Sequence, residues 1–336
     1  MAGFVVGVAL IAWVFRDVDL SAVSARLSTI GFVGSLLALI PALGSGLIET
    51  LGWQSAFSLL GIKIGFPALF RVRTATEAAA QTLPAGVVFS ESLKVALLSR
   101  GGMAMDAAVS GTVARKYLLM TSQSAYLALA ALFGFAGLEA LSRYLIGRGG
   151  LTVLLLITGF GIGLGALFIR SALSRGRLAT RVRELLRRVP NQRLQRSLSG
   201  NDSWSSATDG RLERFFRVRP RDELGVTAFF LAGWLFESFE TFLLMRLVGV
   251  ELDFGTAMAV EVVLSMLRMA VFIVPGGLGI QDAGYALFLQ ALGVPEATAT
   301  GAAFAVLKRS KELAYAVLGY GLLALDLRAV RSAPVP

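Results

Sequence analysis

The sequence predicts an all-α polytopic integral membrane protein with about six full spans and two re-entrant helical hairpins that form an inverted internal repeat. The chain of 336 residues is 55% hydrophobic and only 16% charged, with a mean hydropathy of +0.70. A soluble protein is about a quarter charged. Several apolar runs are long enough to cross about 30 Å of hydrocarbon as helices, and two further segments, each broken by a Pro-x-Gly sequence, resemble one another.

The apolar runs give the order of the spans. A short segment at 1–15 has neither the basic start nor the cleavage site of a signal peptide, so it is expected to stay as a first helix. The clear runs that follow lie at 31–60, 117–138, 151–169, 225–249 and 313–326. Basic residues favour the cytoplasmic side of a membrane. The charges between the runs therefore predict a multi-pass protein with both termini in the cytoplasm, and they put Lys63, Arg71, Arg73 and Arg100 on the cytoplasmic side.

Positive charge is concentrated in residues 170–221, which divide an N-terminal transmembrane half (1–169) from a C-terminal half (222–336). This stretch has fourteen arginines against four acidic residues, an excess that equals the net charge of the whole chain, +10. Such a loop between apolar spans is typical of the cytoplasmic side, so nucleic acid is not an expected partner. Apolar spacing over 178–189 predicts an amphipathic helix on the inner leaflet, and GNDSWSSATDG at 200–210 predicts a flexible link.

The chain contains no cysteine and no histidine. It therefore cannot form a disulfide, a thiolate nucleophile, a Cys/His zinc site or a Ser-His-Asp triad. No metal site, cofactor or catalytic residue is predicted, and any chemistry would depend on carboxylates, basic side chains and hydroxyls.

Two similar segments, 82–102 and 273–293, indicate an internal repeat. Each contains Pro-x-Gly, then four further residues and an acid, which is Glu91 in the first and Asp282 in the second. Pro removes a helical N–H and Gly permits positive φ, so each helix should break here, and broken backbone in a membrane must be buried or line a wet cavity. We expect hairpins over about 66–100 and 256–293, inverted by three crossings between them. Their turns are expected at Pro84, Gly86, Pro275, Gly276, Gly277 and Gly279.

Charged residues within these apolar surroundings are the candidate substrate-binding groups. A charge at the bilayer centre costs roughly 2.5–3.5 kcal/mol on insertion scales. Pairing within the bundle is one explanation, for example between Glu91 and Lys94 or between Lys308 and Glu312. A surplus of basic charge after each hairpin favours instead a site for an anionic head group. The candidate binding residues are Arg115, Lys116, Arg268, Lys308, Arg309, Lys311, Glu91 and Asp282.

Four motifs carry a family resemblance: GWQSAFSLLG at 52–61, TLPAGVVFSESLKVALLSR at 82–100, VPGGLGIQDAGYALFLQALGV at 274–294 and FAVLKRSKELAYAVLGYG at 304–321. The chain resembles the flippase-like family named for the transmembrane domain of lysylphosphatidylglycerol synthase, and within it the branch associated with hopanoid biosynthesis. Relatives usually have Glu at the position of Asp282. The resemblance implies a non-enzymatic protein that moves lipids or lipid-linked molecules between leaflets, and lysyl transfer is not expected.

Two other functions stay open from the sequence. An integral-membrane enzyme acting on a polyprenyl-phosphate or glycolipid could use Asp17 and Asp19, or Glu237 and Glu240, for metal binding or acid/base chemistry; for the aspartates, an ordinary connector is the alternative. An accessory subunit of a lipid biosynthetic complex, which could be a hopanoid one, could dock partner proteins through the Arg-rich loop. The expected ligands are membrane lipids: an anionic phospholipid, a hopanoid or an isoprenoid-linked lipid.

Overall fold

The computed structural model describes residues 16, 18–176, 179–181, 184, 203–271 and 273–332. All regular structure in these residues is helical, which confirms the all-α class. The predicted first segment 1–15, Asp17 and most of the amphipathic stretch 178–189 lie outside the described residues. The helices are α1 (Leu20–Leu37), α2 (Leu39–Leu59), α3 (Phe66–Thr82), α4 (Gly86–Arg100), α5 (Met105–Phe133), α6 (Phe135–Leu145), α7 (Gly150–Leu173), α8 (Ser203–Phe215), α9 (Pro220–Leu247), α10 (Phe254–Ala270), a 3-10 turn (Pro275–Gly277), α11 (Ile280–Ala291) and α12 (Ala297–Ser332).

Three of these helical segments are long and apolar enough to span a membrane: Val33–Leu59, Gly150–Leu173 and Pro220–Leu247. A fourth span is possible if α5 and α6, which meet at an angle of 83°, are counted as one broken span. The surface of these helices is also apolar: on α7, the side chains of Phe160 and Phe168 are 69% and 74% exposed. Long apolar helices with apolar surfaces identify the chain as a membrane protein. The count of six spans stays a prediction.

Two helices are longer than the apolar runs that indicated them. α5 begins at Met105, twelve residues before the run at 117–138, and α12 extends over 36 residues around the run at 313–326. In both cases a cluster of charged residues interrupts the hydropathy without ending the helix, because the charges have partners on other helices. A 36-residue helix is about 54 Å long.

Two hydrophobic cores surround the two broken segments. Around the first, Leu69 and Leu98 pack with Trp53 and Phe57; around the second, Phe288 packs in a cluster with residues of α5, α6, α9, α10 and α12. α5 and α9 contribute to both cores. The charged groups described below lie between these cores.

The stretch at 200–210 is not a flexible link where it is described, because residues 203–210 form most of α8. α8 packs on α5 and buries Leu212 and Phe215. Its Asp209 carboxylate accepts hydrogen bonds from the N–H groups of Ala179 and Thr180 at 2.8 and 3.0 Å, the arrangement that caps a helix start. Polar composition indicated a linker, but these tertiary contacts stabilise a helix instead.

Candidate functional site

Both predicted helix breaks occur at the Pro-x-Gly sequences, and both use the same backbone turn. The residue after each proline is left-handed: Ala85 has φ 52° and ψ 27°, and Gly276 has φ 56° and ψ 14°. This shared conformation agrees with the alignment of Pro84 with Pro275. An L residue in this region costs roughly 1–2 kcal/mol relative to the right-handed helix, so Ala85 is held there by its surroundings.

The two turns lie beside one another. A methyl group added at Gly276 would lie 3.2 Å from the carbonyl oxygen of Gln81, at the end of α3. In the first turn, Gly86 approaches the Ala79 and Ala80 carbonyl oxygens so closely that a methyl group would lie 2.5 Å from each. Gly277 and Gly279 are also left-handed, at φ 62° and 79°. The glycines are thus required by backbone conformation and by the close approach of the two broken segments.

The first turn leads into a cluster of paired charges between α2, α3, α4 and α5. The Arg73 guanidinium donates to the Glu49 carboxylate at 2.9 Å, and Arg115 lies 3.4 Å from the same oxygen. Arg115 also lies 3.8 Å from Glu91, which binds Lys94 at 3.0 Å as the sequence predicted. Arg73 is buried within α3, and its assignment to the cytoplasmic side stays a prediction. Arg71, two positions away, is exposed. The sequence alone did not distinguish this exposed arginine from the buried Arg73.

The second turn is held by Arg309 of α12. Its guanidinium forms a two-pronged pair with the Asp282 carboxylate, at 3.0 and 3.1 Å, and donates to the Gly276 carbonyl oxygen at 3.0 Å. Asp282 also accepts the Gly279 N–H at 2.8 Å and so caps α11. Arg309 reaches Glu312 at 2.6 Å. The planar guanidinium of an arginine can bind both oxygens of a carboxylate at once, which the single ammonium group of a lysine cannot do in the same geometry.

Lys308, on the adjacent position of α12, is paired with Glu261 of α10. Their atoms lie 2.9 Å apart and their side chains are 7% and 3% exposed. The Lys308 ammonium also lies 5.3 Å from the centre of the Tyr285 ring. The expected pair between Lys308 and Glu312 is therefore wrong, because Lys308 pairs with Glu261 of α10 and Glu312 pairs with Arg309.

Lys311 connects the charged interior with a groove between α1, α2 and α12. Its ammonium lies 2.5 Å from the Glu240 carboxylate of α9. It also lines a cavity of about 310 Å³. The other lining residues are mostly apolar: Leu27, Ile30, Ser35, Ala38, Leu39, Val306, Leu307, Ser310 and Ala314. The rim exposes Val306, and nearby Ile40 of α2 is 57% exposed. Apolar walls with one convergent charge suit an amphiphilic ligand.

Helix α12 joins the clusters of the two halves. The Tyr315 hydroxyl accepts a hydrogen bond from Arg73 at 2.7 Å, across 242 positions of sequence. One turn further, Tyr320 and Thr82 are hydrogen-bonded through their hydroxyls. Gly319 lets α12 approach α3, since a methyl group there would lie 2.5 Å from the Thr74 carbonyl oxygen. The two sets of charges therefore form one region, which we call the interior network.

The predicted binding residues have different positions in this network. Arg115, Lys308, Arg309, Lys311, Glu91 and Asp282 are all in it, and all of them are paired. Lys116 is exposed, and its charge acts on Glu91. Arg268 packs against the second turn, with its Cγ 3.3 Å from the position of a methyl group on Gly277, and forms no ion pair with a described residue. Whether these residues bind substrate stays a prediction.

Sequence reasoning missed the roles of Glu49, Arg73 and Tyr315. Glu49 was recognisable as an isolated acid in an apolar run, but nothing local indicated its partners. Of the residues considered for metal or acid/base chemistry, Asp19 accepts the Ser21 N–H at 2.8 Å and caps α1, which supports the connector interpretation. Within the described ranges, no group of three or more acidic side chains is arranged to hold a metal ion.

Comparison with known proteins agrees with this architecture. Among curated proteins, none matches the chain significantly. The family described as the lysylphosphatidylglycerol synthase TM region matches residues 1–309, which include both turns and the network as far as Arg309. This family indicates a membrane lipid-related role. The chain therefore belongs to the lysylphosphatidylglycerol synthase transmembrane-region family.

Proposed function

We propose that the protein moves a lipid with an anionic head group between the leaflets of the bacterial inner membrane, with both termini in the cytoplasm. The observation that carries this proposal is the meeting of two broken helices at a charged interior network that is joined to an apolar groove. Broken helices at a shared polar centre are the plan of many transporters. A lipid would leave its tails in the hydrocarbon while its head group enters beside Lys311.

The groove gives the proposal a specific route. Lys311 lines the groove, whereas its partner Glu240 does not. The ion pair between them therefore stands between the apolar groove and the rest of the interior network. A phosphate that replaces Glu240 as the partner of Lys311 would be drawn from the groove toward Lys308 and Arg309, which precede Lys311 on α12 within one turn. The exchange keeps a counter-charge on the lysine but displaces Glu240, whose side chain is 6% exposed, so it requires that Glu240 gain a proton or another cation.

The test is a scrambling assay in proteoliposomes. Fluorescent phosphatidylglycerol and phosphatidylcholine in the outer leaflet are quenched by dithionite, which reports the fraction exchanged. The informative variant is Lys311→Met with Glu240→Gln, which removes the cation without leaving a buried carboxylate unpaired. Lys63→Met is the matched control, since Lys63 is an exposed residue between α2 and α3.

We expect wild type and Lys63→Met to exchange phosphatidylglycerol at the same rate and the double variant to exchange it at least tenfold more slowly. Absence of exchange by the wild type with both lipids would refute the transport function. Equal exchange by the double variant would remove Lys311 and the groove from the route. Faster exchange of phosphatidylcholine than of phosphatidylglycerol would refute the preference for an anionic head group.

A further inference from the structure

The interior network has no surplus of positive charge. Its members are joined by the ion pairs and hydrogen bonds above or act on one another electrostatically. The cations are Arg73, Lys94, Arg115, Arg268, Lys308, Arg309 and Lys311, and the carboxylates are Glu49, Glu77, Glu91, Glu237, Glu240, Glu261, Asp282 and Glu312. Seven cations face eight carboxylates, and counting the exposed Lys116 makes the numbers equal. An added anion would therefore leave the network negative unless a proton enters.

Glu237 of α9 is the carboxylate least compensated by its neighbours. Its Oε2 atom is buried and has no hydrogen-bond partner. It forms no ion pair with any lysine or arginine in the described part of the chain. Glu91 also has one oxygen without a partner, but its other oxygen binds Lys94 at 3.0 Å. A proton on this oxygen would turn it into a hydroxyl, which could donate a hydrogen bond as well as accept one.

The surroundings of Glu237 include charges of both signs. Glu49 faces it from α2, Tyr126 from α5, Glu261 and Arg268 from α10, and Lys308 from α12. Glu240 lies three positions along α9, on the same face of the helix. Lys308 is already held by Glu261 at 2.9 Å. Arg268 is thus the one neighbouring cation among these groups without a carboxylate partner, and it faces two acids at once.

Resting on the proposed function, we infer that Glu237 is a proton-binding site and that the anionic head group of a lipid binds the interior network when this site is protonated. With Lys116 counted, a proton on Glu237 leaves eight cations against seven carboxylates. One anion, entering by exchange with Glu240 at Lys311, then brings the total charge to zero. When Glu237 is ionised, one turn from Glu240, the added carboxylate repels that anion. Head group and proton are thereby bound together, and the proton returns to water when the lipid leaves.

This linkage is reciprocal, which makes it measurable without transport. If protonation of Glu237 strengthens anion binding, anion binding must strengthen proton binding by the same factor. Over the pH range in which the empty site loses its proton, affinity should fall by about tenfold per pH unit, the slope for one linked proton. Binding should also take up as much as one proton from solution. A lipid without net charge should show neither effect.

The experiment measures equilibrium binding of fluorescent phosphatidylglycerol to the full-length protein in detergent between pH 5 and 9. Calorimetry in buffers of different ionisation enthalpy counts the protons taken up. Glu237→Gln mimics the protonated acid in shape and charge, and Glu237→Asp keeps a carboxyl group. Glu251→Gln is the matched control because Glu251 is exposed between α9 and α10.

We expect wild type, Glu237→Asp and Glu251→Gln to lose affinity as pH rises and Glu237→Gln to bind with nearly constant affinity and no proton uptake. A flat pH profile in the wild type would overturn the inference even if Glu237→Gln did not fold, and lipid exchange in proteoliposomes would then still support transport. An unchanged slope in Glu237→Gln would assign the proton to another group and equally overturn it. No binding of phosphatidylglycerol at any pH, together with no exchange, would refute both proposals.

Discussion

Replacing Lys308 by methionine should destabilise the fold because it leaves the Glu261 carboxylate buried without a cation. The two side chains are 7% and 3% exposed and their charged atoms lie 2.9 Å apart. After the replacement, Glu261 would keep only the hydroxyl donors of Thr241 at 2.6 Å and Ser265 at 3.2 Å. Removal of one partner from a buried pair costs about 3–5 kcal/mol. The contact with the Tyr285 ring would also lose its charge.

The double variant Lys308→Met with Glu261→Gln tests the origin of this cost. It removes both charges; the amide oxygen can accept from one of the two hydroxyls, and the amide NH2 group can donate to the oxygen of the other. Replacement of a whole buried pair by neutral groups is often close to neutral in stability. We therefore expect the double variant to recover most of the loss, with a coupling free energy of about 3 kcal/mol between the two sites.

The assay is SDS-induced unfolding of the purified protein in bicelles, followed by tryptophan fluorescence, with Lys63→Met as the control. The reasoning is refuted if Lys308→Met is as stable as wild type, or if the double variant is less stable than the single one. Either result would mean that Glu261 is compensated by water or by another cation. Loss of lipid exchange in Lys308→Met alone would not identify a binding role, because the same change alters the fold.

The remaining predictions concern backbone and packing. Ala85→Gly should raise the free energy of unfolding by up to about 1 kcal/mol, measured in the same assay, since glycine relieves a left-handed alanine; no change would indicate that Ala85 is not strained. Gly86→Ala should prevent correct folding, seen as loss of the monodisperse peak in size-exclusion chromatography, because its methyl group would lie 2.5 Å from two carbonyl oxygens. Gly111→Ala should destabilise similarly, with its methyl group 1.9 Å from the Phe57 ring, whereas Gly161→Ala has open space and should behave as wild type.

The helix breaks were predictable because their cause is local. Proline and glycine restrict or extend the backbone wherever they occur, so Pro84 and Pro275 indicated both turns. The shared left-handed residue after each proline was not predictable in the same way, because alanine at position 85 gives no signal for positive φ. Only the alignment with Gly276 could have suggested it.

The helix boundaries were less predictable where charges occur. A hydropathy argument ends a span at the first charge, which placed the start of the third run at residue 117, directly after Arg115 and Lys116. The structure continues α5 through both, because Arg115 has carboxylates on α2 and α4. A charge that has a partner can lie within a buried helix, and that partner is invisible to an argument from composition. The same reason explains the burial of Arg73.

Pairing also changes what the basic residues of α12 can do. Free cations at a membrane interior would hold any anion tightly and release it slowly. Under the proposed function, cations that already have carboxylate partners, such as Lys311 with Glu240 at 2.5 Å, would bind an anion by exchange. The net gain would be the difference between two ion pairs, reduced by the cost of the displaced carboxylate, so a head group would be held weakly and could leave as readily as it enters. A network of this kind is poorly suited to storing a ligand and well suited to passing one across, provided that its total charge stays close to zero.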